Sequence, residues 1–409
     1  MDFRPFRPLT PCPELTSRII SPPYDVMSTA EARKIAAGEP LSFLRVTRSE
    51  LELDEGADPY GAEVYRRGRE NLDRLVAGHA LVKAPHPVYA IYRQTRGVRT
   101  QIGIVGLSSV AEYERDLVKK HELTRAEKED DRTRHIDTTE AQTGPVFLAM
   151  RSTSELRDLC IAVTLTRPDL DGWMDYGGVR HEAWFVAADS ERGHLLAALM
   201  AQSPAFYIAD GHHRAASAMR VAKLRREAGL VEGPWEHFLT VVFPSEWLEI
   251  LPYNRVVKDL NGASAEAFLS RVAEHFEVGP PGASPTPSAR HCVSMWLGQT
   301  WRELTMKDVD ENDPIASLDV AYLQDHLLAP VLGIADPRRD HRIDFVGGIR
   351  GTATLEERAG EAGVAFSMYP TSLSELFRVA DAGSIMPPKS TWFEPKLADG
   401  LFVHRIDHT

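Results

Sequence analysis

The sequence predicts an α+β protein with an N-terminal extension, a sheet-centred core and a C-terminal α/β domain. Three observations carry this. Two strand-length apolar runs, PVYAIYRQ and QIGIVGLSSV, flank the turn TRGVRT, which is hairpin composition and length. At residues 204 to 218, PAFYIADGHHRAASA, an apolar run breaks at Ala-Asp-Gly and small, helix-compatible residues follow, the pattern of a strand feeding a helix. Beyond residue 343, strand-like and helix-like segments alternate, as in an α/β layer.

Residues 1 to 40 read as irregular, with SPPYDV at 21 to 26 forced into extended backbone ahead of its prolines. A helix is expected from about Ser28, and an amphipathic one from Pro59 to Ala77, where Val64, Leu72, Leu75 and Val76 recur at helical spacing before Gly78. After the hairpin comes HELTRAEKEDDRTRH, residues 121 to 135, dense in charge and lacking an apolar stripe, which reads as a solvated helix. GPVFLAM, EAWFVAA and AFYIA are short strands, and HFLTVVF is a central-strand candidate.

GPPGASPTPSA, residues 279 to 289, reads as a linker. CVSMWLG and TWRELTM then form a hairpin across Gly298, and DVAYLQDHLLAPVLG a helix stopped by Gly333. IDFVGG, TLEERAGEAG, VAFSMYP, SLSELFRVADAG and GLFVHRI follow in alternation. The expected domains are 1–85, 86–278 and 290–409.

With 409 residues the chain exceeds the size at which one core keeps growing. Its 43% hydrophobic and 26% charged residues are those of an ordinary globular protein. A formal charge of −12 argues against a general nucleic-acid binder, which needs a basic surface to displace counterions. Cys12, Cys160 and Cys292 lie far apart, excluding a disulfide framework or zinc-finger spacing and fitting a reducing compartment. The N-terminus lacks the apolar stretch of a signal peptide, and no run of about eighteen apolar residues occurs. A cytoplasmic protein with no membrane partner is expected.

The strand-to-helix turn at 210 to 214 carries the chemistry. A helix start presents unpaired N–H groups and the positive end of the macrodipole. Gly211 admits close approach of a ligand, and His212, His213 and Arg214 add donors for phosphate oxygens. The plain alternative is that Asp210 only caps the helix and the histidines face water.

SPPYDV, KKHELTRAEKEDDR, YIADGHHRAASA and MPPKSTWFEPKLADGL occur in this order. On these four motifs the chain is identified as a member of the DUF1015 family, which implies no chemistry by itself. A His-Glu pair opening a charged helix, then a strand, then Asp-Gly-His-His-Arg on a helix start is similar to the mixed-sheet nucleotide-binding core of the ParB and sulfiredoxin superfamily, and especially to its free-serine kinases. The resemblance implies that Asp210, Gly211, His212, His213 and Arg214 contact nucleotide phosphates and that Glu122 is the base toward a substrate hydroxyl. It departs from the compact kinases by about fifty residues, 151 to 204, inserted before the phosphate turn.

The expectation is therefore a phosphotransferase using ATP or ADP and Mg²⁺ on a small hydroxylated metabolite, serine or a serine-like amino acid. A non-catalytic nucleotide sensor and a phosphate-ester hydrolase are the alternatives, and a homodimer is left open. Asp210 is the second candidate base and the candidate Mg²⁺ ligand; Glu122 has the alternative of pairing with Arg125 or Lys119. Lys389, Ser390 and Thr391, with Lys396 beyond them, sit in a proline-fixed loop that is either laid over the site or a rigid surface turn. Gly383 followed by Lys389-Ser390 is not a phosphate-binding P-loop, because Pro388 replaces the second glycine and the spacing is wrong. Tyr24, Asp25 and His121 are the substrate-binding candidates, Asp25 for an amine. SPPYDV is otherwise just an extended segment.

Overall fold

The computed structural model describes residues 1–54 and 56–407. The chain divides into two compact units, Met1–Leu248 with Pro395–Thr409, and Glu249–Glu394. The last residues thus return to the first unit.

Nine strands build the main sheet of the first unit among the described residues: β1 (Phe3–Arg4), β2 (Val88–Arg96), β3 (Arg99–Ser109), β4 (Val118–Lys119), β5 (Val146–Met150), β6 (Leu170–Met174), β7 (Val179–Ala187), β8 (Phe206–Asp210) and β9 (His237–Pro244). Their order is β4-β8-β5-β9-β3-β2-β7-β6, with β1 beside β3. The β4–β8 and β5–β9 pairs are parallel and the others antiparallel, so the sheet is mixed. The expected hairpin is β2–β3, in register from Ala90↔Val105 to Arg96↔Arg99. The 151–204 segment adds β6 and β7 at one edge. Leu9–Pro11 pairs with Leu81–Lys83, which ties the N-terminal stretch into the same unit.

Its longer helices are α1 (Thr29–Ala36), α2 (Ala62–Ala77), α3 (Ala126–Thr139), α4 (Ser154–Thr164), α5 (Glu191–Ala201) and α6 (His212–Glu227). In α2, Val64, Tyr65, Gly68, Asn71, Leu72 and Leu75 form the buried face, the three-and-four spacing of an amphipathic helix. The core gathers Ile91, Ile104, Leu148, Trp184, Phe206, Ile208 and Phe238. Among the described residues no helix is long and apolar enough to cross a membrane.

One expectation is corrected in α3. The charged segment is not a solvated helix: Asp131, Arg132, Thr133, His135, Ile136 and Thr139 are buried, because α3 packs against both α2 and α6. Its buried charges are paired, the condition under which such groups leave water.

The second unit holds β10 (Tyr253–Val257), α7 (Ala265–His275), β11 (Phe276–Val278), β12 (Cys292–Leu297), β13 (Thr300–Met306), β14 (Ile343–Gly347), α8 (Ala353–Ala359), β15 (Val364–Met368) and α9 (Leu373–Asp381). Its sheet, in order β11-β13-β12-β15-β10-β14, pairs antiparallel throughout. The region is therefore α+β, not the α/β domain expected. The local strand-helix-strand reading of β14, α8 and β15 held, but β10 lies between the two strands. The 279–289 stretch is a loop inside this unit, with Gly282 and Ala283 amides bonded to Trp301 O.

Candidate phosphate site

Strand β8 leads through Gly211 directly into α6. Gly211 has φ +91°, and a Cβ there would lie 2.9 Å from Arg214 Nε; only glycine takes this conformation and approach without strain. No side chain caps the helix. The cap position is thus Gly211 and not Asp210, and the first turn of α6 carries the positive end of the helix dipole.

The Asp210 carboxylate is instead the centre of a charge cluster. Its Oδ2 lies 3.4 Å from Lys396 Nζ and 3.5 Å from Arg214 Nη2. Burial alone would raise its pKa, yet Lys396 and Arg214 hold the carboxyl below its ordinary range. Arg214 is itself buried. Its Nη1 donates to Pro145 O, while Nε is buried without a partner among the described residues.

Lys396 reaches Asp210 because its main chain is fastened to the sheet. Gln94 Nε2 donates to Lys396 O at 2.7 Å and Gln101 Nε2 to Pro395 O at 3.2 Å. The Ala398 amide donates to Tyr92 OH at 3.4 Å, and that hydroxyl is bonded to His181 Nδ1. A segment 186 residues distant in sequence thereby supplies a cation to the turn.

The His-Glu loop arrives by a different route. Parallel pairing of Val118 with Phe206 and of Lys119 with Tyr207 delivers residues 120 to 125 to the end of β8 from which α6 starts. His212 and His213 then hold this loop. The His121 amide donates to His212 Nε2 at 3.5 Å, and the Arg125 amide to His213 Nε2 at 3.0 Å. The His121 and His212 rings meet edge to face at 4.6 Å. Both histidines, expected as phosphate donors, therefore spend Nε2 as an acceptor. Burial keeps His121 and His212 neutral, lowering His121 to about 4 and His212 well below its ordinary value. Glu122 follows, half-buried, ahead of α3.

Beside this cluster lies a second, which the sequence reading missed apart from Tyr24, Asp25 and Arg214. Ser21 and Asp399 exchange main-chain hydrogen bonds at 3.1 and 2.9 Å, placing SPPYDV against the returning C-terminal segment. Tyr24 is half-buried, Asp25 exposed and Asp399 buried. The Arg132 guanidinium lies 4.1 Å from the Tyr24 ring centroid and pairs with Asp131, whose Oδ1 accepts from Tyr65 OH at 3.0 Å. Tyr24, Arg132, Gly144, Arg214 and Asp399 line a cavity of 20 Å³. Burial pushes the Asp399 carboxyl up to about 7; Arg214 opposes the rise and the charge of Asp25 adds to it.

Lys389, Ser390 and Thr391 belong to the second unit. There Lys389 Nζ lies over the Tyr253 ring at 5.5 Å, and Ser390 Oγ donates to Pro387 O at 2.6 Å. Among the described residues no three His, Cys, Asp or Glu side chains cluster to hold a metal. The donor set for Mg²⁺ is one oxygen, Asp210 Oδ1, since Oδ2 faces both cations; this fits only an ion held mainly by phosphate oxygens and water.

The buried histidines set an acid limit. His121, His135 and His404 are lowered to about 4 and His181 to about 3, each chiefly by burial, and His212 lies well below its ordinary value. In the unfolded chain they protonate near pH 6.5. Between pH 6.5 and 4 the unfolded state thus gains protons that the native state refuses, and stability falls. Asp399 opposes, because its raised pKa lets the native state take a proton as pH drops from 7 towards 4. His237 and His326 are lowered as well, and Asp319, raised to about 6 by burial, joins Asp399 in opposing. The histidines outnumber the two carboxyls, so stability at pH 5 is expected to be lower than at pH 7 by on the order of a few kcal/mol, read as a lower urea midpoint.

Comparison with known proteins gives one family. The model described as "Protein of unknown function (DUF1015)" matches residues 3–321. No curated protein matches the chain. Among solved structures, SbnI with a C-terminal truncation from Staphylococcus aureus is similar at 14% identity and TM-score 0.38, covering 72% of this chain and 85% of its own. A free serine kinase mutant in complex with ADP is similar at 14% identity and TM-score 0.34, over 70% of this chain and 86% of its own. A conserved hypothetical protein from Pyrococcus furiosus is similar at 14% identity and TM-score 0.34, over 75% and 95%.

Proposed function

We propose that this chain, which belongs to the DUF1015 family, is a nucleotide-dependent phosphotransferase with a ParB/sulfiredoxin-like core, acting on a small hydroxylated metabolite. The observation that carries the reading is the uncapped start of α6, flanked by Lys396 and Arg214 on Asp210, with Glu122 on the adjoining loop.

Phosphoryl transfer needs an anchored donor, positive charge on the transferring group and a base near the acceptor hydroxyl. The α6 amides and the two cations answer the first two needs: a phosphate would take hydrogen bonds from the helix start and charge from Lys396 and Arg214. Asp210 orients the two cations. Held deprotonated by them, it is a poor base, and that role goes to Glu122. His212 and His213 position the Glu122 loop through its amides. Mg²⁺ entering with the nucleotide would be held by Asp210 Oδ1 and would neutralise phosphate charge. Serine, or a hydroxy amino acid like it, is the acceptor that the Asp-Gly-His-His-Arg resemblance implies.

The test is purified protein incubated with ATP or ADP, Mg²⁺ and a panel of hydroxy amino acids, followed by phosphorus NMR. A new phosphate-ester resonance is expected. Absence of product together with absence of nucleotide binding by calorimetry removes the reading.

A further inference from the structure

We propose that the cavity between Tyr24, Arg132, Arg214 and Asp399 is a subsite for the ammonium group of the phosphoryl acceptor, with the Asp399 carboxylate as its counter-ion. Its place in a reaction rests on the phosphotransferase reading; the binding chemistry does not.

The cavity's cations are already matched by other carboxylates, whereas Asp399, which takes a main-chain hydrogen bond from Tyr24 and feels the charges of Arg214 and Arg132, keeps one oxygen without a partner among the described residues. Arg132 pairs with Asp131 at 2.9 Å and Arg214 with Asp210 at 3.5 Å. Asp399 is 1% exposed, and its Oδ1 has no hydrogen-bond partner among the described residues. A buried acceptor left without a donor is costly, and native proteins rarely leave such an atom unmatched. Arg214 also lines the cavity, and its Nε, beside Gly211, is a buried donor without a partner among the described residues.

An orphaned acceptor and an orphaned donor on two residues that line one cavity call for a group that supplies donors and carries an acceptor close by. An ammonium brings three donors and a positive charge, so it satisfies Oδ1 and compensates Asp399 as a neutral hydroxyl does not. An oxygen on the neighbouring carbon would then take Arg214 Nε. Asp25, the amine partner expected from sequence, is exposed, where water screens its charge; Asp399 acts from a dry position. Gly144 completes the seat, since a Cβ there would fall 2.3 Å from Asp399 Oδ1.

The test is calorimetric titration of L-serine, ethanolamine and the amine-free analogue glycerate, each with and without ADP, into wild type and Asp399→Asn. Binding of at least one amine by wild type is expected, weakened roughly tenfold or more in Asp399→Asn, with glycerate indifferent to the substitution. Gly144→Ala, which displaces the carboxylate without removing it, should weaken the same amine and serves where Asp399→Asn does not fold. Wild type that binds neither amine, or variants that bind it as wild type does, overturn the subsite, and a cavity filled by water alone gives that result. Amine binding that responds to these substitutions while ADP binding is absent upholds the subsite and removes the phosphotransferase reading.

Discussion

Replacing Glu122 with glutamine is expected to lower turnover by about 10²–10⁴-fold, the usual contribution of a positioned base, while ADP binds as in wild type. The carboxamide has the size and shape of the carboxylate but takes up no proton. The loop carrying it is held through the His121 and Arg125 amides on His212 and His213, none of which the substitution touches. Phosphate contacts come from the α6 amides, Lys396 and Arg214, also untouched. Steady-state rates beside ADP calorimetry check this. A protein that senses nucleotide without turning it over would show no effect of the change, which makes the substitution decisive between the two readings.

Arg214→Leu should be the most damaging single change in the site. Its guanidinium joins Pro145 O to Asp210 in a buried setting. Leucine leaves the carbonyl without its donor and the Asp210 carboxylate with Lys396 alone, and breaking a buried pair from one side costs about 3–5 kcal/mol. Urea unfolding should show that loss as a lower midpoint at unchanged slope. Nucleotide affinity should fall along with it. Arg214→Lys restores charge without the planar fork, so its recovery of stability should be incomplete. Full recovery by lysine would mean that charge alone matters at this position.

The turn at the heart of the site was legible because it is local. An apolar strand, a glycine that must adopt positive φ and a run of small helix formers leave few other arrangements, and Gly211 stands at φ +91° between β8 and α6. The α2 stripe and the β2–β3 hairpin were legible for the same reason. Arg132 and Asp131 were not. Periodicity treats charge as solvent-facing, and nothing in the α3 sequence alone says that Tyr24, Tyr65 and each other will pair these groups. The loop with Lys396 was expected over the site as one of two readings, but which lysine reaches Asp210, and the role of Asp399, were hidden by distance. The return of residues 395 to 398 depends on Gln94 and Tyr92 of β2 and Gln101 of β3, about three hundred positions away in the chain. The sense of the histidines was misread too: two imidazoles beside an arginine suggest donors, whereas each ring nitrogen Nε2 accepts from the neighbouring loop.

The central claim is that the α6 start, with Lys396 and Arg214, holds a polyphosphate. Calorimetric titration of ADP into wild type and Lys396→Met tests it most directly. Lys396 acts here through a single side-chain nitrogen, and methionine keeps its length without its charge. The account predicts saturable binding to wild type, weakened roughly tenfold or more by the substitution. Wild type that takes up no ADP, or equal affinity in the two proteins, would contradict it.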